Sequence, residues 1–192
     1  MTEKKEFLND IDINAIKSRP LSNKDISKLL YKDKQNKAVL YKDLYNCNDI
    51  MELFDDDDKI LMLLPVASHS NGHWINIIYN RKKKCICYND SYGLKPEHFK
   101  TWLTPQKIQQ LGIGHNVLHE LLLKAQDDGH NIKVNKTRYQ QYNEQTNNCG
   151  RHCVLKCRLK SLSDAKYNKL LKDTQLSYDD AVCLLTFNDI GY

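Results

Sequence analysis

Proline and glycine are scarce in this chain, which has 4 and 7 of them, respectively, among its 192 residues. No Pro/Gly/Ser-rich linker, internal repeat or low-complexity segment divides the sequence. We therefore expect one compact domain at residues 21–192, behind a flexible polar arm at residues 1–20. Because 41% of the residues are hydrophobic, a chain that is disordered throughout is excluded.

Long apolar runs are missing as well. The longest, residues 60–67, has the length of a strand and is far shorter than the roughly 18 residues that a membrane span requires. Residues 1–6 are charged and no apolar stretch follows them, so we expect no secretory signal. These features predict a soluble protein of the intracellular type with no membrane partner.

A strong charge imbalance is also absent. Twenty-nine Lys and Arg against 24 Asp and Glu give a net charge of +5. The basic residues are scattered, and their densest run, at 81–84, falls between two predicted strands, where a solvated turn explains it. This charge permits a nucleic-acid partner but does not require one.

The cysteine count is odd, which argues against a disulfide framework. Without an export signal, the seven thiols are expected to be reduced. Cys85 and Cys87 are too close in sequence for the usual zinc pair, and buried thiols on one helix face explain the spacing of Cys149, Cys153 and Cys157. We expect no metal ion.

Hydrophobic patterning predicts strands in the middle of the chain and helices towards both ends. Residues 22–25 have the pattern of a capping box before a helix, and a short helix is expected within 46–54. The predicted strands are 59–67, 74–79, 84–89 and 131–139, and the later predicted helices are 105–126 (interrupted by Gly112 and Gly114), 149–159, 162–172 and 178–186. This order predicts an α+β fold with a central mixed or antiparallel sheet flanked by helices.

A predicted hairpin brings two chemically active residues together. His73 opens one strand and Asp90 closes the next, so a tight turn between them places Asp90 opposite His73 or one step diagonal to it. A carboxylate there can hold one imidazole nitrogen and leave the other free to act as a base. Taken alone, an ion pair across a surface hairpin explains the same pattern.

A third feature is the sequence Asn147-Asn148-Cys149-Gly150 ahead of a helical run. Asn148 is a plausible N-cap, which places Cys149 in the first helical turn, where unpaired N–H groups and the helix dipole favour a thiolate. The N–H of Cys149 could donate to an oxyanion, and Gly150 would let a substrate backbone approach. A buried structural cysteine is the alternative.

Glutamines precede this cysteine. A neutral amide beside a nucleophile suits an oxyanion hole, because it stabilises negative charge without giving up a proton. The candidate donors are Gln140, Gln141 and Gln145.

The order of these motifs resembles a known family. Gly72-His73-Trp74, then residues 88–93 (Tyr-Asn-Asp-Ser-Tyr-Gly), then a Gln followed by Asn148-Cys149-Gly150, resembles the adenovirus maturation protease and the related SUMO proteases. The run at 149–152 and the segment at 21–26 most resemble capsid-maturation proteases of virophages and polinton-type viruses. The resemblance covers roughly residues 20–160, and it implies an adenovirus-protease-like (papain-like) cysteine protease fold.

The resemblance implies a role for each matching residue. His73 would be the general base and acid, Asp90 its orienting partner and Cys149 the nucleophile. Trp74 would shield the pair from water, and Gln140, at the end of a strand-like run, would complete the oxyanion hole.

Two positions depart from the family pattern or leave a choice. SUMO proteases place the Gln closer to the cysteine, where Asn143 stands here, so Gln140 is not the only candidate. Asn89 is an alternative orienter, although Asp90 lies three residues before Gly93, where the family carboxylate lies. The remaining histidines lack such a setting and are expected to be structural, including the one on the same helix as the cysteine: His69, His115, His119, His130 and His152.

The resemblance further implies a monomeric cysteine endopeptidase that needs no cofactor. It would cleave viral capsid precursors beside Gly or Ala, with a DNA or peptide activator, in the virion and the virus factory of the host cytoplasm. Three alternatives remain: a ubiquitin-like-modifier protease of the same chemistry, an acyltransferase, and a non-enzymatic basic nucleic-acid-binding virion protein with structural thiols.

Overall fold

The computed structural model describes residues 12–31, 38–54, 56, 58–143 and 146–187. Five strands form one sheet in the order β1-β2-β3-β4-β5. They are β1 (Val39–Leu40), β2 (Lys59–Ser68), β3 (Asn71–Asn80), β4 (Cys85–Asp90) and β5 (Asn131–Val134). The three central strands are antiparallel, while β1 and β5 lie parallel to their neighbours at the two edges. The sheet is therefore mixed.

Helices surround this sheet. They are α1 (Ile13–Ser18), α2 (Asn23–Tyr31), α3 (Pro105–Gln110), α4 (Val117–Asp127), α5 (Cys149–Arg158), α6 (Asp164–Asp173) and α7 (Tyr178–Thr186). Short 3-10 helices occupy Tyr41–Asn46, Ile50–Leu53, Arg81–Lys83 and His98–Trp102. Among the described residues, no helix is both long enough and apolar enough to cross a membrane.

The two faces of the sheet bury different helices. One face, with Met62, Ile75 and Ile77, packs on α4 and the 3-10 helices. The other face, with Leu63 and Trp74, packs on α2 and α5. Because side chains alternate along a strand, one apolar run supplies both faces. The packing of Trp74 with α5 brings the start of this helix beside the start of β3.

The predicted α+β class with a mixed sheet is confirmed. The capping box is confirmed too: the Ser22 N–H donates to Asp25 Oδ2 at 2.9 Å, and the Asp25 N–H donates to Ser22 Oγ at 3.2 Å. The break predicted in 105–126 separates α3 from α4, and Gly112 has a left-handed φ of 62° there. Such a backbone conformation favours glycine.

Some predicted bounds differ from those observed. The helix expected within 46–54 is a 3-10 turn at Ile50–Leu53, and the strand expected at 131–139 ends at Val134. Beyond Val134, the side chain of Asn135 pairs with the backbone N–H and carbonyl of Asp90, so the regular backbone pairing of the two strands does not continue. The expected boundary at residues 20 and 21 stays a prediction, because residues 1–11 lie outside the described residues. The 12–20 segment contains α1, whose Ile16 is buried.

Gly72 sets the geometry immediately before His73. It pairs with Pro65 on β2, where the ladder becomes irregular, since proline has no N–H to donate. A Cβ on Gly72 would lie 1.8 Å from the Leu64 carbonyl oxygen. The close approach of the two strands therefore requires glycine at this position.

We expect Gly72→Ala to lower the free energy of unfolding by about 3 kcal/mol, because backbone must move to admit the methyl group. Urea unfolding followed by circular dichroism measures this change. Gly114→Ala is the matched control, since a Cβ there meets nothing within 4 Å, and it should change stability by less than about 1 kcal/mol. Equal stabilities for the two variants would contradict the close approach at Gly72.

Candidate active site

His73 and Asp90 meet at one end of the central hairpin. Asp90 pairs directly with Ile75, two residues beyond His73 on the same face, so the two side chains are diagonal neighbours as the hairpin predicted. His73 Nε2 lies 3.2 Å from Asp90 Oδ1, and both side chains are buried. The pair is therefore a buried one and not a surface ion pair.

The position of Asp90 is fixed from two sides. Its backbone N–H donates to Asn135 Oδ1 at 2.7 Å, and Asn135 Nδ2 donates to its carbonyl at 2.8 Å. The Tyr92 N–H donates to the carboxylate Oδ1 at 2.7 Å. Oδ1 is also the atom that faces His73, so these bonds hold the carboxylate towards the imidazole.

Cys149 is the first residue of α5, as expected. Asn148 occupies the N-cap position but its side chain makes no capping bond; its Nδ2 instead donates to the Asp179 carbonyl at 3.4 Å. The first N–H groups of the helix therefore lack a side-chain cap, which leaves their partial positive charge beside the Cys149 sulfur.

Cys149 lines the same groove as His73, and each of these two side chains shifts the pKa of the other. Burial alone raises the pKa of Cys149, but the bond to His73, its charge, and the N–H groups of Trp74 and Gly150 bring that pKa below the ordinary thiol value. Burial lowers the pKa of His73, whereas Asp90 and Cys149 together raise it well above the usual range. The arrangement therefore favours a thiolate and an imidazolium over two neutral groups.

Other thiols of the chain have the opposite electrostatics. Burial is the main cause that raises the pKa of Cys153 well above its ordinary value. It also raises the pKa of Cys183 to about 11 and that of Cys87 to about 12. The expectation that Cys153 and Cys157 are buried on one face of the helix is confirmed. In contrast to Cys87, Cys153 and Cys183, Cys149 combines a lowered pKa with partial exposure.

Two aromatic rings contact the His73 imidazole, and neither of these contacts was predicted from the sequence. Tyr92 stacks on the imidazole with 4.9 Å between ring centroids, and Trp102 meets its edge at 5.6 Å. Tyr142 packs on Tyr92 in turn, at 4.9 Å. Trp74 packs into the cluster with α2 and α5, and its Nε1 donates to the Leu21 carbonyl. The rings limit water around the imidazole, which strengthens its charge interactions.

An open groove of about 910 Å³ leads to this pair. His73 and Cys149 line it together with Tyr92, Trp102 and Gln140. The groove therefore reaches both His73 and Cys149, whereas Asp90 does not line it and is only 3% exposed.

Gln140 is held firmly at the edge of this groove. Its Oε1 accepts a bond from Ser91 Oγ at 2.7 Å, and its Nε2 donates to the Thr146 carbonyl at 2.9 Å. An amide nitrogen carries two hydrogens, so one N–H remains for a ligand in the groove. Among the candidate donors that the structure describes, Gln140 is therefore the one whose amide is both buried and adjacent to the groove.

The other candidate donors differ in position. The Gln141 side chain is exposed and accepts from Asn143 Nδ2 at 3.4 Å. Asn143 lines the groove but is exposed. Gln145 lies outside the described residues.

Asn89 and His152 lie away from the group formed by His73, Asp90 and Cys149. Asn89 faces the opposite side of the sheet, where its Nδ2 donates to Asn76 Oδ1 at 2.9 Å, so the structure does not place it as an orienter of His73. His152 Nε2 lies 3.4 Å from Asp179 Oδ1 in a separate buried pair, and burial lowers the pKa of His152. Both positions fit structural roles.

The expected role of Gly150 is wrong. A Cβ there would lie 3.1 Å from Leu21 Cβ and 3.2 Å from Ile26 Cδ1. The small residue therefore lets α5 pack against the segment that begins α2, and the space is filled by the protein rather than left for a substrate.

Comparisons with known proteins place the chain near a viral protein. It is 27% identical over 170 residues to uncharacterized protein V9 of Sputnik virophage, across 86% of this chain and 93% of that protein. No protein-family model matches the chain.

Two solved structures are similar at 18% identity. One is the central domain of the uncharacterized Lpg1148 protein from Legionella pneumophila, with a TM-score of 0.46 over 88% of this chain and 94% of that one. The other is the C-terminal Ulp1 protease domain, solved with the yeast SUMO orthologue Smt3, with a TM-score of 0.42 over 93% of this chain and 81% of that one. These likenesses are too weak to assign a chemistry, which depends on the geometry of the site.

Proposed function

We propose that this protein is a cysteine endopeptidase with Cys149 as nucleophile, His73 as general base and acid, and Asp90 as the residue that orients His73. The contact of His73 with Asp90, together with the location of His73 and Cys149 along one open groove, carries the proposal. The lowered pKa of Cys149 supports it further, since the thiolate is the reactive form of cysteine.

The proposed reaction begins with attack of the Cys149 sulfur on a peptide carbonyl carbon, which turns the carbonyl oxygen into an oxyanion. The backbone N–H of Cys149 and the remaining N–H of Gln140 Nε2 stabilise that oxygen. The His73 imidazolium then protonates the leaving amine as the C–N bond breaks, and a thioester remains on Cys149. Water, deprotonated by His73, attacks the thioester and releases the acid and the free thiol.

We further propose that the substrates are viral capsid precursor proteins, cut beside a small residue such as Gly or Ala. Similarity to a virophage protein supports the viral setting. Four bulky aromatic residues line the groove with Cys149, which favours small side chains next to the cleaved bond: Trp74, Tyr92, Trp102 and Tyr142. The proposed place of action is the virus factory of the host cytoplasm and the virion.

The test is to incubate the purified chain with recombinant capsid precursors of the same virus, and in parallel with a ubiquitin-like protein ending in diglycine and a reporter. We expect cleavage of the capsid precursor beside Gly or Ala, mapped by mass spectrometry, and none with Cys149→Ala. Each reaction is run with and without added DNA, so that a missing activator is recognised.

Two results would change the assignment. Faster release from the diglycine substrate than from the capsid precursor would replace the capsid function with that of a modifier protease. No Cys149-dependent cleavage in any reaction, together with DNA binding that falls steeply with salt, would replace it with that of a nucleic-acid-binding protein.

A further inference from the structure

Two consecutive residues at the end of β4 face two different parts of the site. Asp90 contacts the imidazole of His73, and Ser91 contacts the amide of Gln140. Neighbouring side chains at a strand end point in different directions, so one short segment reaches both the proposed base and the proposed oxyanion donor.

Ser91 holds Gln140 through both its backbone and its side chain. The Ser91 carbonyl accepts from the N–H groups of Tyr139 at 2.8 Å and Gln140 at 2.9 Å. The hydroxyl donates to Gln140 Oε1 at 2.7 Å. Deleting the hydroxyl leaves both backbone bonds in place, so only the hold on the amide is lost.

We propose that Ser91 is a positioning residue, which fixes and polarises the Gln140 amide so that its free N–H points towards the reacting carbonyl. The proposal depends on the proposed protease function for its catalytic consequence. Gln140 lines the groove and Ser91 does not, so Ser91 acts through Gln140 and does not touch substrate.

Ser91 can position Gln140 because the oxygen and the nitrogen of the Gln140 amide are each held by a different partner. The Thr146 carbonyl accepts only, so it fixes Nε2 on its side, and the Ser91 hydroxyl satisfies Oε1 on the other. A donor on the oxygen of an amide draws charge through the group and strengthens its N–H as a donor. Without the hydroxyl, Oε1 is left buried and unpaired, and the amide is expected to leave its position.

The first measurement is kinetic. Ser91→Ala should lower kcat about tenfold with little change in KM, as expected for loss of one bond that matters only in the transition state. In a Gln140→Leu background the same substitution should cost nothing more. Ser163→Ala is the matched control: it deletes the capping hydroxyl of α6, away from the groove, and should leave kcat unchanged.

The second measurement does not need activity. Side-chain amide signals of Gln140, assigned by their loss in Gln140→Leu, should exchange slowly with solvent in the wild type and at least about tenfold faster in Ser91→Ala, because the amide is released. A thermal melt shows whether the variant is folded.

The outcomes separate the two proposals. Wild-type protein without Cys149-dependent hydrolysis would overturn the protease function, while the amide exchange would still decide the role of Ser91. Unchanged exchange in a folded Ser91→Ala variant, or an additive loss of kcat in the double variant, would overturn the positioning role.

Discussion

Replacing His73 with alanine is expected to move the pH midpoint of Cys149 alkylation up to about 8.5 or higher, and to lower peptide hydrolysis at least about 10⁴-fold. The hydrogen bond and charge of His73 are the largest of the causes that lower the pKa of Cys149. Without them, burial is opposed only by backbone N–H groups, and the thiolate forms only at alkaline pH.

The pH dependence of hydrolysis follows from the pKa shifts of Cys149 and His73. The pKa of Cys149 is lowered and that of His73 is raised, so the thiolate–imidazolium pair exists in the window between them. Below the window the thiolate takes up a proton; above it the imidazolium loses the proton needed by the leaving amine. Hydrolysis should therefore follow a bell-shaped curve, with its plateau between the lowered pKa of Cys149 and the pKa of His73, which is raised to about 10.

Alkylation is measured peptide by peptide with mass spectrometry from about pH 5 to pH 10. Cys149 should react well below the pH at which Cys87 and Cys183 do, since their pKa values are raised. His152→Asn is the matched control, because His152 is also a buried histidine beside an aspartate. A control midpoint that moves as far as that of His73→Ala would contradict the assignment of the base.

Local patterns in the sequence were enough to predict the pairing of His73 and Asp90. A tight hairpin constrains the register of its strands, and Asp90 does pair two residues from His73. The helix start at Cys149 was predictable for a similar reason, because a polar Asn-Asn pair precedes a helical run.

Contacts between distant segments could not be predicted in this way. Tyr92, Trp102 and Tyr142 meet around the imidazole through the packing of separate loops. The hydroxyl that holds Gln140 comes from Ser91, 49 residues earlier. Periodicity and turn signals report on near neighbours, so the supporting residues of the site became visible only in the folded chain.

The same limit explains the error at Gly150. A glycine directly after the predicted nucleophile Cys149 indicated space for a substrate. The residues that fill that space, Leu21 and Ile26, lie far away in sequence. The segment that begins α2 thus packs against the start of α5 and helps to hold Cys149 in place.

Gln140→Leu is expected to lower kcat by about 10² to 10³-fold, the usual cost of losing one oxyanion donor. The alkylation curve of Cys149 should stay unchanged, because alkylation with iodoacetamide forms no oxyanion and the contacts of Cys149 with His73 do not involve Gln140. This combination distinguishes Gln140 from His73, whose loss changes both measurements.

Gln141→Leu is the matched control, because its exposed side chain does not line the groove, and it should keep full activity. Asn143→Ala tests the alternative donor on the same loop. If Asn143→Ala lost the activity while Gln140→Leu kept it, the donor would be Asn143, and the buried bonds of Gln140 to Ser91 and Thr146 would serve only to shape the loop. Loss with Gln140→Leu alone assigns the oxyanion hole to the amide that these two bonds hold at the groove.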